Sequence, residues 1–348
     1  MCTGTELTRD ERVQIYTHLK DGISVPKIAK FLGRHKSTIY REIKRCKTKN
    51  FEYDFEISQK IHEENISKRV RDLAIGKNKE LANYIDYLII EKRLSPEATI
   101  GKIINENRFK NVVCFQTVYR YIDKGFLKAK RMNLYHFGKR RVKKNRIIAN
   151  GKFTKGTSIE ERPQKINDRS EFGHFEGDLI LNCRQKGVAV LTLTERVSRF
   201  NINIAIPDKT QKSVINALDE LERILATRYN KQFCDIIKSI TFDNGIEFMD
   251  YQRIEKSCLS NNKRTTTYYC HAYSSHERGS NERNNGLLRK FGLPKSKNFN
   301  KLTSEELQES TNMLNNYPRG LFNYHCASEI FSKLSGLPKE FQSAFMVA

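Results

Sequence analysis

The apolar pattern of this chain changes period near residue 172, and that change constrains the fold more than any other feature. Before it, apolar residues recur at helical intervals; after it, they alternate or run together as in strands. HFEGDLILNC, GVAVLTLTERVSRF and FNINIAIPD read as three consecutive strands, with Arg184-Gln185-Lys186-Gly187 as the turn between the first two. Turns that short force an antiparallel meander. TQKSVINALDELERILATRY then returns to the helical period, with Val214, Leu218, Leu221 and Leu225 on one face. IIKSITF supplies a fourth strand ending at Asp243-Asn244-Gly245, MDYQRIEKSCL a helix, TTTYYCHA a fifth strand and NERNNGLLRKF a helix. This order of elements is that of a ribonuclease-H-like α/β domain, of the retroviral-integrase type, with a mixed five-stranded sheet.

Three carboxylates stand at telling places on that frame. Asp178 lies within the first expected strand, Asp243 at the end of the fourth and Glu282 on the helix after the fifth. A carboxylate in an apolar strand is costly unless it is paired or metal-bound. Three converging carboxylates repel one another, and a divalent cation removes that repulsion. The expected cofactor is therefore Mg2+, two ions per site, with Mn2+ as a substitute. Such a pair activates an attacking oxygen and stabilises a leaving oxygen in phosphodiester chemistry. Metal, rather than Lys or Arg, is expected to balance these acids. For the nearby Glu176, Glu247 and Glu277, structural or surface use outweighs ligation. Asn281, Asn285 and Arg289 share the Glu282 helix and face either DNA or solvent.

Charge locates a second activity in front. The 348 residues carry 63 Lys+Arg against 40 Asp+Glu, a net +23, which argues for a polyanionic partner. Residues 1–50 hold +7 and 101–165 hold +14, whereas 166–348 hold only +4. Residues 8–46 read as three short helices. Thr8 and Glu11 form a capping box for the first, which carries Val13, Ile15, Tyr16 and Leu19. Val25, Ile28, Ala29 and Leu32 line the second, Gly33 makes the turn, and Ile39, Tyr40 and Ile43 are expected inward on the third. That last helix presents His35, Lys36, Ser37, Thr38, Arg41, Lys44 and Arg45, the pattern of a helix-turn-helix recognition helix. A looser second copy opens at Ser95-Pro96 and continues to CFQTVYRYIDKG, with Val118, Tyr119 and Ile122 expected inward and Gln116, Thr117 and Arg120 outward. Between 126 and 155 stand eleven Lys or Arg and no acid, among them Lys139, Arg140, Arg141, Lys143 and Lys144, a strap suited to phosphate contact.

Several classes drop out. The longest aliphatic runs are far too short to span a bilayer, so no membrane partner is expected. The opening residues MCTGTELTRDER hold no apolar signal core, and none of the eight cysteines forms a C-x-x-C pair. The expected location is the bacterial cytoplasm, in association with the nucleoid.

Long ordered motifs then resemble one family. IAKFLGRHKSTIYREIKR, SPEATIGKII with TVYRYID, IEERPQKINDRSEFGHFEGDLI, LTERVSRF, ITFDNGIEF, AYSSHERGSNERNNGLLRKFGLPK and LNNYPRGLFNYHCASEIF are similar to the IS-thirty family of insertion-sequence transposases, in the DDE superfamily. The resemblance covers nearly the whole chain. It implies a protein that binds the inverted-repeat ends of its element through its front and cuts and joins double-stranded DNA with a Mg2+-dependent triad, Asp178, Asp243 and Glu282. It also implies action as a homodimer or larger assembly on DNA. The expected division is a helix-turn-helix domain at 1–50, a helical region with a second such module at 51–125, a basic linker at 126–165 and the catalytic domain at 166–348. The chain departs from the family where Phe175 and His276 stand in place of Trp. Two rivals are a DNA-binding regulator with a dead rear domain and a structure-specific nuclease of the same fold.

Overall fold

The computed structural model describes residues 6–46, 52–69, 78–134, 156–182, 186–271, 274–339 and 341–347. Lys139, Arg140, Arg141, Lys143 and Lys144 lie outside the described residues, as does most of the basic strap. The chain forms two compact units, Met1–Lys77 and Asn78–Ala348.

The first unit is helical: α1 (Arg9–Lys20), α2 (Val25–Phe31), α3 (Lys36–Arg45) and α4 (Phe55–Arg69). The capping box forms as expected. Thr8 Oγ1 accepts from the Glu11 amide at 3.2 Å, and Glu11 Oε2 accepts from the Thr8 amide at 2.7 Å. Ile15, Ile28, Ala29 and Ile39 make the small core. Gly33 serves the turn through its backbone, at φ +63°, and not through close packing, since nothing lies within 4 Å of the place its Cβ would take. Two apolar residues expected inside are outside: Val13 is 37% and Tyr40 52% exposed. Their places are taken by a buried ion pair, Arg12 Nε to Glu42 Oε1 at 2.8 Å. Arg12 also donates to the Leu7 carbonyl (2.8 Å) and to Gln59 (3.1 Å), and Ser58 donates to Glu42. One polar knot thus ties α1, α3 and α4 together, which simple apolar periodicity does not foresee.

The second unit opens with α5 (Lys79–Ile90), α6 (Pro96–Glu106) and α7 (Phe115–Asp123). Ser95 caps α6 by accepting from the Ala98 amide at 3.2 Å. In α7 Val118, Tyr121 and Ile122 are buried while Tyr119 is 39% exposed, so the inward tyrosine is the one that follows Arg120.

The rear of this unit contains β1 (Thr157–Ser158), α8 (Gln164–Asn167), β2 (His174–Ile180), β3 (Ala189–Glu195), β4 (Asn201–Ile206), α9 (Gln211–Tyr229), α10 (Phe233–Ile236), β5 (Ser239–Phe242), α11 (Tyr251–Glu255), β6 (Thr266–Tyr269), α12 (Gly279–Phe291), α13 (Ser304–Asn315), α14 (Ala327–Ser335) and β7 (Ala344–Met346). The sheet has seven strands in the order β1-β6-β5-β2-β3-β4-β7, not the expected five. β2, β3 and β4 form the antiparallel meander, and β5 and β6 add in parallel beside β2, which is the ribonuclease-H-like connectivity. The two extra strands are edge pairings: β1 runs parallel to β6 and β7 parallel to β4. Segments of two and three residues hold no period that a sequence pattern could reveal.

The two faces of the sheet differ in chemistry. Leu191, Leu193, Ile202, Ile204 and Ile206 point to α9, where Val214, Leu218, Leu221 and Leu225 complete the larger core. The opposite face of β3 and β4 carries buried Thr192, Thr194, Asn201 and Asn203 against α12 and α13. Asn203 Nδ2 donates to Thr311 Oγ1 at 2.8 Å and Asn315 Nδ2 to the Asn201 carbonyl at 2.9 Å, while the side-chain oxygens of Asn201 and Asn203 are buried without a partner. Alternation along each strand sends Leu191 and Leu193 to the α9 side and Thr192 and Thr194 to the other, where Val190 and Ala205 also join a second apolar core with Leu288, Phe291, Leu307 and Leu314.

Replacing Arg12 by Ala strands Glu42 in the core of the first unit, where each partner is under 5% exposed. This change is expected to cost about 3 kcal/mol in urea unfolding. An unchanged midpoint would mean that the pair does not hold these helices.

Candidate active site and nucleic-acid interface

The acids meet because two neighbouring strands run in the same direction. β2 and β5 are parallel, with Glu176 opposite Thr241, so Asp178 near the end of β2 and Asp243 just after β5 emerge at the same edge. Gly177, just before Asp178, leaves room for the Phe242 ring to lie over β2. A Cβ there would fall 2.3 Å from the Phe242 ring.

Glu176, one pleat before Asp178, is fully buried and anchors the helix above. Its Oε1 takes Arg196 Nη1 at 2.5 Å and its Oε2 takes the Asn281 amide at 2.9 Å. Asn281 returns a bond to the Glu176 carbonyl at 2.9 Å and accepts from Thr192 at 3.2 Å. Asn281 is therefore buried structure, facing neither DNA nor solvent. This clamp fixes the start of α12 over β2. Glu282, Asn285 and Arg289 then line a cleft of about 370 Å³ together with Asp178, Arg278 and Lys295.

Asp178 Oδ2 accepts from Asn285 Nδ2 at 2.9 Å, and its Oδ1 accepts from the Leu179 amide at 2.9 Å. Asp243 Oδ1 accepts from the Gly245 amide at 3.1 Å, the turn expected of Asp-Asn-Gly. The cation between these acids is Arg278. Its Nη2 lies 2.6 Å from Asp243 Oδ2 and its Nη1 3.5 Å from Asp178 Oδ1. The expectation that no Lys or Arg would balance the acids is thus corrected: a guanidinium four residues before Glu282 does so. Burial raises the Asp178 pKa above its ordinary value, against the pull of Arg278. Burial opposes the Arg278 charge, yet Asp178 and Asp243 together hold its pKa above the usual value.

Glu282 is exposed and shares the cleft with Asp178 and Arg278. The three carboxylates do not all close to ligand spacing. Among the described residues, the trio whose ligand atoms lie within 4.8 Å of one another is Asp219, Glu222 and Cys258. That trio is already satisfied. Arg264 Nη1 sits 2.6 Å from Asp219 and 3.0 Å from Glu222, Ser257 donates to Glu222, and burial pushes the Cys258 thiol up to about 11. At the strand ends the donor set is two aspartates already drawn onto one cation, with a third acid in the same cleft, and it fits an oxygen-ligated divalent ion. Glu277 is turned away, binding the His271 ring at 2.7 Å, and Glu247 lies beside Gly245 in the turn after Asp243. Phe175 is fully buried in the main core, and the His276 side chain lies outside the described set.

On α3, Lys36, Arg41, Lys44 and Arg45 are exposed and Ser37 and Thr38 half-buried. On α7, Gln116 and Arg120 are exposed and Thr117 half-buried. The two helices also expose matching tyrosines, Tyr40 and Tyr119, each directly before an exposed arginine. Sequence reading placed both tyrosines in the core.

A family model described as a helix-turn-helix domain matches residues 3–46. Over 93% of this chain and 94% of the relative, the sequence is 31% identical to a probable transposase for insertion-like sequence element IS1161 of Streptococcus salivarius. The chain belongs to the IS-thirty family of insertion-sequence transposases. It is also 27% identical to transposase InsI for insertion sequence element IS30A of Escherichia coli (strain K12), over 94% of this chain and 83% of that one. Among solved structures it is similar to the catalytic core domain of BIV integrase at 20% identity, covering 46% of this chain and 94% of that one with a TM-score of 0.34. The sheet connectivity is ribonuclease-H-like on its own evidence.

Gly177→Ala is expected to push the Phe242 ring and separate β2 from β5, lowering stability by about 2 kcal/mol in thermal unfolding. A variant as stable as the parent would show that the approach of these strands is not tight.

Proposed function

We propose that this chain is the transposase of an insertion sequence. It binds the terminal inverted repeats of its element and catalyses strand cleavage and transfer into target DNA at Asp178, Asp243 and Glu282. The observation that carries this reading is the meeting of Asp178 and Asp243 at adjacent parallel strand ends, with Glu282 in the same cleft. Magnesium, two ions with manganese as substitute, would be held by these three carboxylates and supply Lewis acidity for phosphodiester cleavage and transesterification.

The remaining groups bind and orient. Asn285 fixes the rotamer of Asp178 through its bond to Oδ2. Arg289 and Lys295, across the cleft, take backbone phosphates and hold the scissile strand over the acids. Lys36, Ser37, Thr38, Arg41, Lys44 and Arg45 on α3 read and grip the inverted repeat. Gln116, Thr117 and Arg120 on α7 form the second contact, and the strap with Lys139, Arg140, Arg141, Lys143 and Lys144 follows the phosphate backbone. The functional modules are 1–50, 51–125, 126–165 and 166–348. Joining two element ends calls for at least two copies on DNA, acting at the bacterial nucleoid.

Asp243→Asn is expected to abolish cleavage and strand transfer, in an assay with the element's own ends and Mg2+, while inverted-repeat binding persists in gel shifts. Nicking by that variant would sink the triad, and loss of binding would move Asp243 into the DNA grip. A regulator with an inert rear domain predicts no strand transfer by the parent chain with Mg2+ or chelator. Neutralising Arg41 and Lys44 together is expected to lower the salt slope of DNA binding by about 2. An unchanged slope would remove α3 from the interface.

A further inference from the structure

Arg278 sits where the divalent cation of the proposed reaction would sit. Its guanidinium spans the two aspartates, 2.6 Å from Asp243 Oδ2 and 3.5 Å from Asp178 Oδ1, and also donates to the Gly177 carbonyl at 2.7 Å. The side chain is 12% exposed. Each aspartate has its other oxygen committed to the scaffold, Asp178 through Asn285 and Asp243 through the Gly245 amide. The oxygen of Asp243 left for a metal is therefore the one that Arg278 holds.

A lysine in this place could yield by losing its proton, but a guanidinium cannot, because its pKa is too high for deprotonation in a protein. Its charge leaves only by moving. The side chain is built to move. Its Nε is buried with no hydrogen-bond partner, so only the guanidinium tip is tethered, by two carboxylates and one carbonyl. Swinging outward carries the tip into the cleft it already lines, beside Arg289 and Lys295. That wall suits a phosphodiester.

We propose that Arg278 is a built-in counter-cation that holds Asp178 and Asp243 together without metal, competes with the divalent ion for them, and on displacement binds a DNA phosphate. This rests on the reading of the two aspartates as metal ligands. It explains why one guanidinium is shared by both carboxylates, at 2.6 Å from Asp243 and 3.5 Å from Asp178. It also couples two ligands. DNA that captures the released guanidinium favours metal binding, and metal that releases it favours DNA, by the same factor. The full cation complement of the site is then assembled only on DNA.

The test is Mn2+ titration of the full-length chain by calorimetry, with and without a duplex carrying the element end, in the parent, Arg278→Gln and Arg278→Lys. Thermal unfolding in chelator is measured alongside. Arg278→Gln is expected to lower the melting temperature in chelator, to bind Mn2+ about tenfold more tightly than the parent without DNA, and to lose the gain that DNA gives the parent. Arg278→Lys, which keeps the charge but cannot bridge both acids, should retain the fold and fall between the two. If Mn2+ binds the parent and Arg278→Gln equally, or binds the variant more weakly, Arg278 does not compete with metal and the inference fails while the metal reading stands. If Mn2+ binds neither the parent nor the variants, and Asp243→Asn changes nothing, both fail.

Discussion

Two carboxylates at the ends of adjacent parallel strands repel, and in the rear unit the Arg278 guanidinium stands between them. The pairing of β2 with β5 brings Asp178 and Asp243 to one edge. Gly177 makes room for the Phe242 ring over β2, and Arg278 compensates the charge. On the proposed reading, the stability of the fold and the affinity for a divalent cation draw on the same oxygens. A site that satisfied its acids permanently would have none left for chemistry. One that left them bare would strain the sheet.

The polar face of the sheet does the positioning. Buried Glu176, Thr192, Asn201 and Asn203 are paired with Asn281, Thr311 and Asn315 on α12 and α13, so the two helices sit in one register. On the same face Ile180, Val190 and Ala205 pack with Leu288, Phe291, Leu307 and Leu314, and that contact supplies burial without direction because hydrophobic contact is non-directional. For a helix that sets Glu282, Asn285 and Arg289 in the cleft beside Asp178, direction matters more than strength.

The second helix pair is not a loose appendage. Ser95 at the start of α6 bonds the Tyr317 hydroxyl at 3.1 Å, Asn105 donates to the Asn323 carbonyl at 2.7 Å, and Arg93 donates to the Lys290 carbonyl at 2.9 Å. Gly101 is a notch filled by Tyr324, whose ring would stand 2.0 Å from any Cβ. The exposed face of α7, with Gln116, Tyr119 and Arg120, is thereby carried on the same body as the acids.

The sequence alone determined the elements with a long period and the residues with a local rule. The switch of period near 172 settled the meander, α9 and the ribonuclease-H-like order, and Thr8 with Glu11 settled a helix start. Asp178 stood out because charge in an apolar strand is anomalous, Asp243 and Glu282 by their places in the element order, and the family motifs pointed to the same residues. Only the tertiary structure decided what depends on partners far apart in the chain. Arg12 and Glu42, thirty residues apart, displace Val13 and Tyr40 from the core they were expected to fill. The edge strands β1 and β7 are too short to carry a pattern and exist only because β6 and β4 offer open edges. Arg278 belongs with these. Nothing in its neighbours along the chain marks it as the counter-ion of Asp178 and Asp243, because a Coulomb contact is fixed by distance in space, and that distance is set by which strands lie side by side.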